Sequence, residues 1–360
     1  MNDEVLINGR FLTRSATGVD RFAYELLRAW WPLFGRRKTV SIAMPRGGQE
    51  ATKVALGMPV QPDGRTRGHL WEQFELPQVR KESLLVNLCN SAPLQVRRQI
   101  VVVHDLAVLT HPLWYSFGYR TWHRTLITGI MRRAAVVATV SKFSASELSR
   151  HFAKRPRDIE LISESGEHVL RAPADLRILK KLNLTNRRYV LAVGSNSRNK
   201  NLEAVSRAAQ LLSDLDVLVV ATGSANPRIF AASRPTANST VSAGYVSDGE
   251  LRCLYENAQC FVFPSFYEGF GLPPLEAMSC GCPVIVSDRA SLPEVCGSAA
   301  LYCDPDDVHD IARQLRRVLS SSTLRSDMRE AGLARARGFS WAAAAAQFEQ
   351  ILASATQTAP

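Results

Sequence analysis

The sequence has no apolar run approaching the ~18–20 residues of a membrane span, no CxxC pair, no internal repeat and no long low-complexity tract. The first absence argues against a helical membrane domain, and the second against a paired-thiol redox site. A basic and apolar leader is missing too. The chain opens on MNDE and runs straight into strand-like VLI, so a cytoplasmic protein is expected. Seven cysteines are an odd number, and six lie in the second half in apolar surroundings. They read as small core residues of a reducing compartment. The CGC at 280–282 has no second pair and no nearby histidine to finish a zinc site.

What is present is a chain of 360 residues, 46% hydrophobic and 21% charged. That suits two soluble domains at ~100–200 residues each. The charge is lopsided. Residues 1–180 hold 27 Lys and Arg against 16 Asp and Glu, while residues 181–360 hold 17 of each. The whole basic excess lies in the first half, which should attract an anionic membrane surface, a phosphate-bearing acceptor or nucleic acid.

Short β-rich apolar runs recur at 5–7, 40–43, 84–88, 100–103, 136–140 and 159–162, and again at 189–193, 217–221, 260–263, 284–286 and 301–303. Between them, 20–31, 144–152, 201–212 and 308–319 carry apolar residues at helical spacing. Strand–helix alternation of this kind predicts parallel sheets covered by helices. It occurs twice, around a polar stretch near 171–186. The expected fold class is α/β, with two doubly wound Rossmann-like domains facing a cleft: a basic domain at 1–183, a second domain at 184–338, and a C-terminal helix and tail at 339–360; the resemblance given below makes the first the acceptor-binding and the second the donor domain. That helix either packs on the second domain or crosses back onto the first.

The most informative segment is EGFGLPPLE at 268–276, between the strand-like CFVF of 260–263 and VIV of 284–286. Gly269 and Gly271 free the backbone to approach a ligand, and the prolines suit a first helical turn. Free amides there form an anion site. Glu276 then falls in the first turn, able to accept from both ribose hydroxyls, while Glu268 faces a sugar. In isolation Glu268 would read as a loop salt bridge and Glu276 as a dipole-stabilising residue. Lys200 sits at a helix N-terminus, unfavourable for the dipole unless it meets an anion such as a diphosphate; Arg198 is a second candidate. A glycine loop runs from Gly9 to Gly18 after the first strand. His104 ends a buried strand, where it either contacts a sugar or is structural. His111 and His168 have weaker claims. Trp71 and Glu72, within HLWEQ at 69–73, form a sugar-stacking set on the acceptor side, with plain core the rival for Trp71. The two D-x-D matches, at 304–306 and 214–216, read as a helix cap and a turn, so no metal is expected. Asp306 or Asp307 is the expected cap.

Together these motifs resemble the retaining family-4 glycosyltransferases of the GT-B fold, often called glycosyl transferases group 1, of the bacterial exopolysaccharide and O-antigen type. The resemblance covers nearly the whole chain: ING (7–9) with TGV (17–19), HLWEQ (69–73), NLCNSAP (87–93), VHD (103–105), TVSKFS (139–144), KNL (200–202), EGFGLPPLE (268–276) and FSW (339–341). Only the 268–276 and Lys200 elements are specific. The resemblance implies a metal-independent, cofactor-free transfer with retention. Glu268 and His104 would meet the donor sugar, Glu276 the ribose, Lys200 the diphosphate, and amides around Phe270, Gly271 and Leu272 both sugar and phosphate, with the loop near Gly18 closing over them. It also implies a nucleotide sugar, GDP-mannose being favoured, a lipid-linked or glycan acceptor and an anionic inner-membrane surface, with no nucleic acid. The chain departs from the pattern at Asn199, where arginine is common, and at ESG (164–166), where many members read Pro-Asn-Gly in a turn expected in the first domain. Rival readings are a sugar-nucleotide epimerase or hydrolase on the same fold, or a basic nucleic-acid-binding protein.

Overall fold

The structure, a computed structural model, describes residues 4–13, 17–46, 56–62, 64–79, 82–154, 158–194, 198–223 and 240–357. The chain divides into two compact units, Met1–Glu164 with Trp341–Pro360, and Ser165–Ser340.

The first unit is built on one sheet in the order β3-β2-β1-β4-β5-β6-β7, with every pairing parallel. Its strands are β1 Val5–Asn8, β2 Val40–Met44, β3 Val60–Pro62, β4 Leu84–Asn87, β5 Gln99–Val102, β6 Val136–Thr139 and β7 Glu160–Leu161. The inner strands β1, β2, β4 and β5 are buried along their whole length, as strands covered on both faces must be. Leu126, Ile127 and Ile130 of the helix Phe117–Arg133 pack on Val101, Val103 and Val137, with Leu148 of the helix Lys142–Phe152 beside them.

The second unit repeats the plan in the order β10-β9-β8-β11-β12-β13, again parallel throughout. Here β8 is Tyr189–Val193, β9 Leu218–Thr222, β10 Thr240–Gly244, β11 Cys260–Phe263, β12 Val284–Ser287 and β13 Ala300–Cys303. Val205 and Ala208 of the helix Leu202–Gln210 join Ile311 and Leu315 of the helix Val308–Ser320 over Val190, Val219, Val262 and Ile285.

In each unit the chain builds outward from one strand and then reverses to its other side, between β1 and β4 and between β8 and β11. Ligands of such sheets bind beyond the carboxyl ends of the strands at that reversal. The eleven expected runs all form strands. The two strands absent from the expected set, Val60–Pro62 and Thr240–Gly244, are edge strands of their sheets. They carry Gln61, Pro62 or Ser242 where an inner strand carries apolar side chains.

The boundary falls at Glu164 rather than 183. The stretch 165–183 buries Val169 and Ile178, and it is also held by hydrogen bonds to the rest of the second unit. Asp175 N–H donates to Gly249 O at 2.9 Å, and Arg252 Nη1 donates to the carbonyls of Leu170 and Ala172 at 2.8 and 3.0 Å. The final helix, Trp341–Gln357, belongs to the first unit. It lies against the helix Gly18–Leu33, with the Trp30 and Phe348 rings 5.3 Å apart and Trp30 Nε1 donating to Glu349 Oε2 at 3.0 Å. Phe348 is fully buried. Phe348→Ala should therefore lower stability by about 3–5 kcal/mol, read as a shifted urea midpoint; an unchanged midpoint would mean the returning helix contributes nothing to the first unit.

Candidate functional site

At the β8/β11 reversal, two loops meet. The one after β8 leads into a 3-10 turn, Arg198–Lys200, and Asn201 in left-handed conformation (φ 52°) starts the next helix. The one after β11 carries Ser265 to Gly271. Asn199 ties them together: its carbonyl accepts from Phe266 N–H at 2.8 Å, and its Nδ2 donates to Tyr267 O at 3.2 Å. This fixes Lys200 opposite Glu268, and Lys200 Nζ lies 2.7 Å from Glu268 Oε1. The ammonium also lies 4.9 Å from the centre of the Phe263 ring, a cation–π contact. Ser265 Oγ donates to the same Glu268 oxygen at 2.5 Å. The side chains of Lys200 and Glu268 keep 18% and 12% of their exposure, so the pair is sheltered but reachable. The anion that Lys200 meets within the protein is therefore Glu268. Arg198, two residues before Lys200, is exposed.

The next turn is set by Gly271, whose φ of 108° is a conformation L side chains rarely adopt; a Cβ there would also lie 2.7 Å from Leu292. It caps the helix Leu272–Ser279, with Pro273 in the first turn. Ser291 Oγ lies 2.7 Å from the Phe270 carbonyl and 3.0 Å from the Glu268 carbonyl, drawing the loop's acceptors inward. The amides of Phe270, Gly271 and Leu272 take no protein acceptor among the described residues. The Phe270 and Leu272 side chains are buried, so these residues offer a ligand backbone rather than side chain. Gly269, beside them, is partly buried.

Glu276 is the fifth residue of its helix, not within the first turn as the spacing suggested, because the helix starts at Leu272. It is buried, and each carboxylate oxygen has a donor: His168 Nε2 at 2.9 Å on Oε1 and the Tyr255 hydroxyl at 3.1 Å on Oε2. Burial first, and then the Glu276 charge, push the Tyr255 phenol well above its ordinary range, which keeps it a donor. A carboxylate oxygen has two lone pairs, so each retains one for a ligand hydroxyl. His168 is the residue the sequence reading ranked low. Its second nitrogen, Nδ1, lies 3.1 Å from the Ser165 carbonyl. Gly166 completes the contact, for a Cβ there would lie 2.5–2.6 Å from the backbone of Leu275 and Glu276. The ESG turn thus supplies Ser165 and Gly166 to the second unit, against the helix that carries Glu276, and not to the first domain as expected. The nearest signal in the sequence was the glycine of that turn, two residues before His168.

The family model described as Glycosyl transferases group 1 matches residues 176–335, which hold Lys200, Glu268 and Glu276. The chain is 34% identical over 267 residues to O-antigen chain mannosyltransferase B of Escherichia coli, covering 69% of this chain and 68% of that protein. The chain belongs to the group 1 glycosyltransferases. It is also 29% identical to the serotype-specific mannosyltransferase WbdA of Escherichia coli over 68% of its own length, but spans only 32% of that longer protein. Among solved structures, Alr3699/HepE of Anabaena, in complex with UDP and glucose, superposes with a TM-score of 0.76 at 16% identity, covering 98% of this chain and 99% of that one. At that identity the likeness speaks for the fold.

In the first unit of the transferase, His104 follows β5. Its Nε2 lies 2.9 Å from the Leu88 carbonyl, its Nδ1 3.4 Å from Glu164, and its ring meets Phe22 edge-on at 4.7 Å. Both nitrogens are engaged by protein groups. Gly18 opens the helix Gly18–Leu33, where Asp20 accepts from the Thr17 N–H and hydroxyl at 2.9 and 2.7 Å; residues 14–16 of the glycine loop lie outside the described residues. The sugar-stacking set does not form. Trp71 is fully buried among Leu6, Ala43, Leu76, Leu85 and Val96, so its ring faces core and not a sugar. Glu72 is equally buried and its carboxylate is used within the protein. Oε1 accepts from Asn8 Nδ2 (2.8 Å), Arg10 Nε (3.0 Å) and Ser91 Oγ (2.8 Å), and Oε2 lies 3.0 Å from His69 Nδ1. A π-helical turn, Trp71–Glu75, directs both residues inward.

The aspartates of the D-x-D matches have structural partners. Asp304 and Asp306 bond Arg289, Asp214 bonds Arg316, and Asp307 caps the helix Val308–Ser320 by accepting from His309 N–H at 2.8 Å. The six cysteines of the second unit are buried, and burial raises the thiols of Cys260, Cys280, Cys296 and Cys303 to about 12. They are core side chains, not nucleophiles.

Burial is the largest single influence on Glu72 and opposes its ionisation, but the His69 hydrogen bond, the Arg10 charge and Asn8 together outweigh it and hold the carboxyl below its ordinary 4.5. A depressed carboxyl stabilises the fold above the unfolded value and loses that contribution as pH falls through the native one. Glu72→Gln, which leaves Arg10 buried without its counter-charge, should cost about 3–5 kcal/mol at neutral pH. In urea melts the gap from the parent should narrow below pH ~4; a pH-independent gap would remove the charge from the explanation.

Proposed function

We propose that the transferase moves a hexose, mannose from GDP-mannose, to a lipid-linked or saccharide acceptor in bacterial surface-polysaccharide synthesis, with retention at the anomeric carbon and without a metal ion. The relatives named as an O-antigen chain mannosyltransferase and a serotype-specific mannosyltransferase support the sugar and the pathway class, and the UDP and glucose bound by the Anabaena protein support a nucleotide sugar as donor. The observation that carries the reading is the division of labour between the two carboxylates. Glu268 is reachable and paired with a lysine; Glu276 is buried and clamped by two donors.

In this reading Glu276 accepts from the ribose hydroxyls with the lone pairs His168 and Tyr255 leave free. Lys200 and the amides of Phe270, Gly271 and Leu272 meet the diphosphate. Binding the diphosphate draws Lys200 from Glu268, and Glu268 turns to the sugar. As the bond from the anomeric carbon to the diphosphate oxygen breaks, its electron pair leaves with the diphosphate, the acceptor's hydroxyl oxygen bonds the anomeric carbon on the same face, and the hydroxyl proton passes to the departing diphosphate oxygen. The lysine and amides then stabilise the growing charge, for which one lost donor commonly costs ~10²–10³ in rate. The basic first unit meets the acceptor on the cytoplasmic face of an anionic inner membrane. No helix of the described residues is long and apolar enough to cross a membrane.

Glu268→Gln should lower kcat at least ~10²-fold with little change in donor KM, whereas Glu276→Gln should raise donor KM about 10–100-fold. Steady-state kinetics with a panel of UDP-, GDP- and dTDP-sugars reads both, and equal effects of the two variants on both constants would end the division of roles. Activity should survive EDTA; loss restored by Mg²⁺ or Mn²⁺ would overturn the metal-free reading.

A further inference from the structure

His168 keeps only 4% of its exposure, and each of its ring nitrogens faces an oxygen that accepts. Nδ1 lies 3.1 Å from the Ser165 carbonyl, and Nε2 lies 2.9 Å from Glu276 Oε1. A carbonyl only accepts, so Nδ1 carries a proton. A neutral imidazole would then turn a bare lone pair at Nε2 toward the lone pairs of a carboxylate. Two arrangements remove that clash. Either the ring is the doubly protonated imidazolium, or the proton sits on Glu276 and is donated back to the ring.

The surroundings select the first. The Tyr255 hydroxyl donates to Glu276 Oε2 at 3.1 Å, and such a bond favours an ionised carboxylate. Imidazole is the more basic partner by about two pH units. A buried carboxylate also needs a counter-charge. Among the described residues His168 is the sole group within ion-pair distance of Glu276 that can supply one.

The turn Glu167–Leu170 is packed on the helices Leu272–Ser279 and Asp248–Asn257. The first brings Glu276 as its only charged side chain. The second brings Tyr255, Asp248 and Cys253, whose thiol burial raises. It also brings Glu250, engaged at the helix cap with Ser247 N–H, and Arg252, spent on Glu256 and on the carbonyls of Leu170 and Ala172. On the turn and just past it, Glu167 and Arg171 are exposed.

We infer that His168 is held as an imidazolium at neutral pH and is a positioning residue for Glu276. It touches the carboxylate and not the donor. Its charge lets Glu276 stay ionised while buried. Its N–H and the Tyr255 hydroxyl then hold one lone pair of each oxygen and leave the other for a ligand hydroxyl. The positioning role rests on the reading of Glu276 as the ribose contact; the second proton on the ring does not.

The test is nitrogen NMR of the full chain with isotope-labelled histidine at about pH 7.5, where a free imidazole is about nine-tenths neutral. The His168 ring, identified as the one whose resonances move in Glu276→Gln, should carry a proton on both nitrogens. His168→Gln keeps an N–H but no charge. It should raise donor KM about 10-fold and leave kcat within about 2-fold of the parent. A bare Nε2 in the parent would overturn the assignment, as would an unchanged donor KM or an equal fall in kcat in His168→Gln. Should that variant not fold, the ring spectrum of the parent still decides the proton. Two protonated nitrogens together with an unchanged donor KM in Glu276→Gln would overturn the ribose reading and leave the imidazolium standing.

Discussion

A strand that pairs parallel to its neighbour must return through a crossover, so in a wholly parallel sheet every strand ends on the same edge. Both sheets of this protein obey that constraint without exception among the described residues. It gathers the loops after β8 and β11 at one reversal, and Lys200 and Glu268, 68 residues apart, come within 2.7 Å. Asn199 only fastens what the topology has already brought together. The same constraint, acting in the first unit, brings the ends of β1 and β4 together, and there the sequence fills the crevice with a buried polar network. Asn8 Nδ2 donates to Asn87 Oδ1 at 2.9 Å beside the Arg10–Glu72 pair.

The three glutamates at these two reversals illustrate how environment separates identical chemistry. Glu72, Glu268 and Glu276 are the same side chain. Glu72 is fully enclosed with an arginine and serves the fold. Glu276 is enclosed with donors that leave lone pairs unspent, and Glu268 stays at the rim beside a mobile type of cation on a four-carbon stem. Burial and partner, not residue type, decide which of them can meet a ligand.

The sheets were legible because inner parallel strands must be apolar on both faces, and runs such as VLAV or CFVF have few other uses. Two of the edge strands, Val60–Pro62 and Thr240–Gly244, were not, because one side of an edge is free of that demand. The glycine-flanked carboxylates and the helix-terminal lysine were legible as local departures from what a structural element would choose. His168 was not, since its meaning comes entirely from Glu276, 108 residues away. Trp71 misled for the opposite reason. An indole among polar neighbours resembles a sugar platform until a π-helical turn rotates it into the core. The unit boundary was hidden because the hydrogen bonds that join 165–183 to the second unit use its backbone groups, which residue type does not display.

The pairing of Trp30 with the last helix has a consequence for how the protein is made. Trp30 and Glu349 are 319 residues apart in the chain. At ~5–20 residues per second a ribosome needs about 15–60 s to synthesise that interval. Throughout it the N-terminal unit, although first to emerge, lacks the helix that covers Trp30. The second unit is complete in sequence before the first one is, so the unit that starts the chain is the last to be completed.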